Sequence, residues 1–208
     1  MKRVLLLIVL AVMGLTTYAQ TKLTDVQSQE VMAQLSQAAA SMQSMQCRFV
    51  QEKTSTMLAE PSVSEGLMYF IAPDRLRWEY VTPYPFALVV NGERIVKVTD
   101  GKAEVLVGNA NRMYQGIASI IMGSASGKKL FDTSAFDIVL YDDDVYWKAE
   151  MTPKRRDMKR MFSQLVFRFD KATNSISRVE FKNAGGDLTS IRFEDIKLNE
   201  AIGESMFQ

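Results

Sequence analysis

From Cys47 to the end of the chain, apolar and polar residues alternate with a period of two, and the alternating segments are joined by short turns. A period of two places successive side chains on opposite faces of a strand. The segments are "CRFVQEK", "SVSEGLMYFIA", "RLRWEYV", "FALVV", "RIVKVT", "AEVLV", "AFDIVLY", "VYWKAEM", "SQLVFRF", "SISRVEF" and "LTSIRFEDIKL". Asn91-Gly92 and Asp100-Gly101 are strong two-residue hairpin signals, and a bulge is expected at Gly66. Connections this short suit an antiparallel meander and leave no room for βαβ crossovers. About ten or eleven strands are expected, and a sheet of that size curls or closes.

Two segments depart from this period. Thr24 and Gln27 form a capping-box pattern, and Val31, Leu35, Ala38, Met42 and Met45 follow at helical spacing opposite Gln and Ser. In the middle, Met113, Ile117, Ile120 and Ile121 recur at helical spacing within residues 111–122, and Gly123 opens a flexible loop. Several strands are apolar on one face only, so these helices are what the chain offers to cover that face. The expected class is α+β: a single domain with a strongly curved antiparallel sheet, an incomplete β-barrel, whose helices cover a hydrophobic cavity.

Within "YFIAPDRLRWEYVTPYP" (residues 69–85), alternation sends Leu76, Trp78 and Tyr80 to one face and Arg75, Arg77 and Glu79 to the other. The first three are candidates for a cavity wall, together with Leu35 and Met42 on the first helix. The basic run "KRRDMKR" (residues 154–160) reads as a solvated turn between strands. Its Lys154, Arg155 and Arg156 are candidates for docking on an acidic partner or anionic headgroups.

Composition removes most chemistry. The chain has no histidine and one cysteine, Cys47. That excludes Ser-His-Asp and Cys-His nucleophilic devices, most zinc sites and any internal disulfide. No glycine-rich phosphate loop or nucleophile elbow is present. Asp142, Asp143 and Asp144 read as turn chemistry, not an acid–base pair, so neither an enzyme nor a cofactor is expected. Lys and Arg number 25 against 24 Asp and Glu, a balance that gives no bulk attraction to nucleic acid.

Residues 1–19 read as a cleaved signal peptide. Lys2 and Arg3 precede an apolar run from Val4 to Met13, and Thr17-Tyr18-Ala19 ends it with small residues at −3 and −1. The run is too short to span a bilayer, which takes ~20 helical residues. Residues 20–208 are then an exported, soluble, periplasmic domain.

Taken in order, Phe49-x-Gln51, the Gly-Leu-Met-Tyr-Phe strand, "P-x-x-x-x-W-x-Y", "P…LVVNGE", "MTPK" at Met151–Lys154 and Leu165-x-Phe167-x-Phe169 resemble the periplasmic outer-membrane lipoprotein carrier family, LolA. The resemblance runs through nearly all of residues 20–208. It implies a non-enzymatic shuttle that takes acylated lipoproteins from an inner-membrane ABC-type release complex and hands them to an outer-membrane receptor, where one exists; a monomer is expected. A paralogous carrier of a glycolipid or other acylated molecule, or a lipid- or peptide-sensing module, is the alternative. The positions matching the cavity-lining pattern are Leu76, Trp78, Tyr80, Ile120 and Ile121. The resemblance also implies an arginine just before the proline of the third-strand turn, latching the lid; here Ala72 stands there. The extension that some carriers have at the C-terminus has no counterpart after Phe207.

Overall fold

The computed structural model describes residues 20–55, 57, 59–108 and 130–208. The expected signal peptide at 1–19 and the expected helix at 111–122, with Ile120 and Ile121, lie outside the described residues. In chain order the elements are β1 (Thr21–Lys22), α1 (Asp25–Ser41), β2 (Ser44–Thr54), β3 (Ser62–Ile71), β4 (Arg75–Thr82), β5 (Phe86–Asn91), β6 (Arg94–Thr99) and β7 (Lys102–Val105). They continue with β8 (Phe136–Asp143), β9 (Tyr146–Pro153), α2 (Arg156–Met161), β10 (Phe162–Asp170), β11 (Ile176–Asn183), β12 (Leu188–Leu198) and a 3-10 turn at Glu204–Phe207.

Among the described residues, twelve strands form one open antiparallel sheet in the order β1-β8-β9-β10-β11-β12-β2-β3-β4-β5-β6-β7. Each half is the expected meander. Asp100 and Gly101 both take positive φ (51° and 72°), as a type I′ hairpin turn requires, and Gly92 sits at 61°. The halves join where β12 pairs with β2, from Leu188↔Thr54 to Leu198↔Met45. The bulge expected at Gly66 is present as a register shift between Glu65 and Gly66 against β4.

The Thr24 capping box forms in full: the Gln27 amide donates to Thr24 Oγ1 (3.3 Å) and the Thr24 amide donates to Gln27 Oε1 (3.0 Å). The apolar stripe leads only to the end of this helix, however. Met42 is its extended C-cap, and Met45, expected on the helix, already belongs to β2. The reason lies far along the chain. Asn199 Oδ1 accepts the Gln43 amide (2.8 Å) and the Asn199 amide donates to the Ser44 carbonyl (2.9 Å), drawing this stretch out into a strand.

α1 links β1, at one sheet edge, to β2, near the sheet centre, with five strands between them in the order. Its 17 residues make about 25 Å of helix at 1.5 Å per residue, close to the ~28 Å that six strand spacings occupy. Val31 and Leu35 are buried in the same apolar cluster as the sheet. No described helix is long and apolar enough to cross a membrane.

Two elements differ from expectation. Residues 156–161, expected within a turn, form α2 between β9 and β10, with Lys159 and Arg160 in the last turn, where cations favour the helix dipole. The outer face of β4–β6 is also covered. Phe207 packs there with Val89 and Val96, Arg75 lies over its ring (5.7 Å) and pairs with Glu204 (2.8 Å).

Candidate functional site

The inner face of the sheet carries one apolar cluster that reaches from β4–β6 on one flank to β8 on the other. Leu76 and Trp78 are buried in it, and Tyr80 is half-buried against it. Alternation on β4 therefore sorts the faces as expected, and Arg75, Arg77 and Glu79 lie opposite. Arg77 pairs with Glu79 at 2.8 Å.

Phe49 on β2 organises this flank. Its ring lies 4.3 Å from that of Trp78 and meets Tyr80 edge-on at 5.3 Å. Trp78 meets Phe193 of β12 edge-on at 6.2 Å, and Tyr80 stacks on Phe86 of β5 at 4.6 Å. Phe49 pairs in register with Gly66, whose missing side chain leaves the ring its place. The Tyr80 hydroxyl donates to Gln51 Oε1 (3.0 Å), so the Phe49-x-Gln51 pair serves Tyr80 from both sides.

Leu35 and Met42 come together elsewhere on the same face. With Ala38, Met45, Phe169 and Ile176 they line a small cavity of about 40 Å³ between α1, the β10–β11 turn and the sheet. The Gln34 amide donates to Asn174 Oδ1 (2.7 Å) across its margin. Leu76, Trp78 and Tyr80 do not border this cavity. The cavity has room for a few water molecules at ~10–15 Å³ each, against ~300–1,000 Å³ for an ordinary ligand pocket.

At Ala72, main chain makes the contact. Its amide donates to the Gln43 carbonyl (2.8 Å), tying the end of β3 to the α1–β2 link. The basic run is partly engaged: Lys154 Nζ donates to the Thr133 carbonyl (2.8 Å) and pairs with Asp137 (3.2 Å). Arg155 occupies the N-cap position of α2 without a side-chain capping bond and Arg156 opens the helix, both exposed.

Sequence reasoning did not single out Phe193, Trp147, Phe167 or Phe169 for the site. Alternation in β9, β10 and β12 carried the signal, but which strands share a face with β4 depends on the β12–β2 pairing. Two indole nitrogens of this interior, Trp78 Nε1 and Trp147 Nε1, are buried with no hydrogen-bond partner. An unmet buried donor costs ~1–3 kcal/mol.

Cys47 lies on the inner face of β2, paired in register with Met68. Burial pushes its thiol up from 9.0 to about 12. A raised folded value contributes stability that is fully present below pH ~9 and lost as pH rises toward ~12. Native protein at pH 8 is therefore expected to resist thiol reagents that modify the unfolded chain fully. Its unfolding free energy should fall by about 1 kcal/mol more than that of Cys47→Val between pH 8 and about pH 10, as urea titrations would measure.

The family model described as outer membrane lipoprotein carrier protein LolA matches residues 40–208. The outer-membrane lipoprotein carrier protein of Methylobacillus flagellatus is 26% identical over 169 residues, covering 81% of this chain and 78% of that protein. Its counterpart in Pseudomonas fluorescens is 28% identical over 210 residues, covering 99% and 92%. Among solved structures, the Pseudomonas aeruginosa MucA/MucB complex contains a chain that matches with a TM-score of 0.53 at 17% identity, covering 88% of this chain. This chain spans 60% of the length of that one, and the likeness is one of fold.

Proposed function

We propose, for a chain that belongs to the LolA family of outer membrane lipoprotein carrier proteins, that its inner apolar face holds the acyl chains of lipoproteins in transit. Cargo is taken from an ABC-type release complex in the inner membrane and carried through the periplasm to the outer membrane. Residues 1–19 act as the export signal, and the mature domain is residues 20–208. The observation that carries this reading is the single apolar cluster spanning both halves of the sheet, with α1 laid against it.

The packing of α1 on the sheet is assigned to an unloaded state. Loading displaces α1 and exposes Leu35 and Met42 as part of an acyl-binding wall, to which Leu76, Trp78, Tyr80, Ile120 and Ile121 are also assigned. Burying a methylene is worth ~0.8 kcal/mol, so one 16-carbon chain would contribute roughly 12 kcal/mol. Three fully buried chains would pass the practical ceiling of ~20 kcal/mol. Displacing α1 subtracts from this, because Val31 and Leu35 lose ~1.5–3 kcal/mol each when exposed. Closure of α1 thus competes with cargo and helps the carrier release it. Methionines such as Met42, Met45 and Met68 suit this role, because their side chains re-pack around irregular apolar shapes.

Native mass spectrometry of the protein isolated from the periplasm tests the reading. Co-purified acylated lipoprotein is the expected result; a glycolipid mass would redirect the assignment to another acylated cargo. Protein that is free of ligand and takes up no fatty-acyl probe would refute it.

Docking on the release complex is assigned to Lys154, Arg155 and Arg156. Reversing all three to glutamate is expected to slow cargo loading about tenfold at low salt, with less effect at high salt, in a reconstituted transfer assay. Unchanged loading at low salt removes them from the interface.

A further inference from the structure

The inner face holds two buried donors that no acceptor meets. Trp78 Nε1, on β4, and Trp147 Nε1, on β9, are both out of solvent and without an acceptor. The β9 and β4 strands lie on opposite flanks, with five strands between them. Trp78 is 4% exposed. Among the described residues its ring neighbours are Phe49 and Phe193 and its register partners are Met68 and Leu88, and none of these side chains carries an oxygen. Phenylalanine would fill such a place at no polar cost, and the tryptophan brings a hydrogen-bond donor that the apolar packing does not use. Trp147 is held in place by Lys171, whose ammonium sits 4.4 Å from the ring centre and is itself bonded to Asp142.

On the carrier reading above, an acyl chain that enters this interior brings methylenes and one further group: the carbonyl where an ester or amide joins the chain to its cargo. We infer that the Trp78 indole N–H donates a hydrogen bond to an acyl carbonyl oxygen of the cargo, and that Trp147 is placed to do the same for a second chain on the other flank. The site is then specific for acyl esters and amides over bare hydrocarbon or ether-linked chains. It follows that the donors are unpaired when the carrier is closed and paired when it is loaded. This difference favours loading without adding apolar area.

The test compares 1-monopalmitoylglycerol with 1-O-hexadecylglycerol, which has the same chain and headgroup but no carbonyl, in competition for a fluorescent fatty-acyl probe. Wild-type protein is expected to bind the ester about fivefold more tightly than the ether, the worth of one net hydrogen bond. Trp78→Phe should bring that ratio close to one, whatever its effect on the affinity common to both probes, and its thermal midpoint should not fall. Trp147→Phe is expected to reduce the preference for a diacylglycerol over its diether analogue. Equal ester and ether affinity in the wild type would overturn the inference and leave the carrier reading standing. So would a preference that survives in the double variant. If neither probe binds, the carrier reading and the inference fall together.

Discussion

Gly66→Ala is expected to destabilise the protein by at least about 3 kcal/mol. A β-carbon at this position would lie 1.9 Å from the Glu79 carbonyl oxygen and 2.5 Å from Phe49 Cζ. A flexible side-chain tip could swing away from such a contact, but a strand carbonyl and a fully buried ring have nowhere to go. The β3–β4 ladder must open at its bulge, or Phe49 must leave its contacts with Trp78 and Tyr80. For a domain of this size the thermal midpoint should drop by roughly 6–12 °C, which scanning calorimetry would register. Adding Phe49→Leu should restore less than half of the loss, because the nearer obstacle is backbone. Gly185→Ala is the control: its β-carbon would approach nothing closer than 3.4 Å, and its effect should stay within ~0.5 kcal/mol. A loss below about 1 kcal/mol for Gly66→Ala would mean that the β3–β4 bulge yields easily.

Gly66 also marks how far the sequence could be read. Strand periods, the Asp100-Gly101 turn, the bulge itself and the Thr24 capping box are local, set by residues a few positions apart, and they are legible. So is the sorting of Leu76, Trp78 and Tyr80 away from Arg75 and Arg77, because alternation alone decides it. What glycine makes room for was not legible, since Phe49 faces Gly66 only through the β2–β3 register. The end of α1 has the same character: Asn199, more than 150 residues on, extends the chain where the apolar spacing suggested more helix. The two-residue β1 carries no periodicity to read, yet it pins α1 to the far edge of the sheet. The cover over the outer face of β4–β6 rests on Arg75 meeting Glu204 and Phe207, again a contact between distant segments. Residues 156–161 form a helix where a turn is expected, for a different reason. Their charge says that they are solvated, and a short solvated helix and a solvated turn share that property.

Fixing α1 to the β10–β11 turn is expected to reduce cargo loading by more than about tenfold. Gln34 and Thr173 are both exposed and flank the contact in which the Gln34 amide reaches Asn174. Cysteines placed at 34 and 173 and joined by a short bis-maleimide would hold the helix against the sheet without disturbing Val31 or Leu35. The native thiol should not compete, because Cys47 is buried and its ionisation is pushed up to about 12. With α1 held, the space beneath it stays near 40 Å³, far below the ~300 Å³ at which ordinary ligand pockets begin. Each single-cysteine variant, treated with the same reagent, should load normally. A linker containing a disulfide should give back full loading on reduction, which separates closure from damage. Loading at the wild-type rate in the cross-linked protein would show that acyl chains enter without displacing α1. Closure of α1 would then no longer account for release, and the weakening of cargo binding would have to come from the sheet itself.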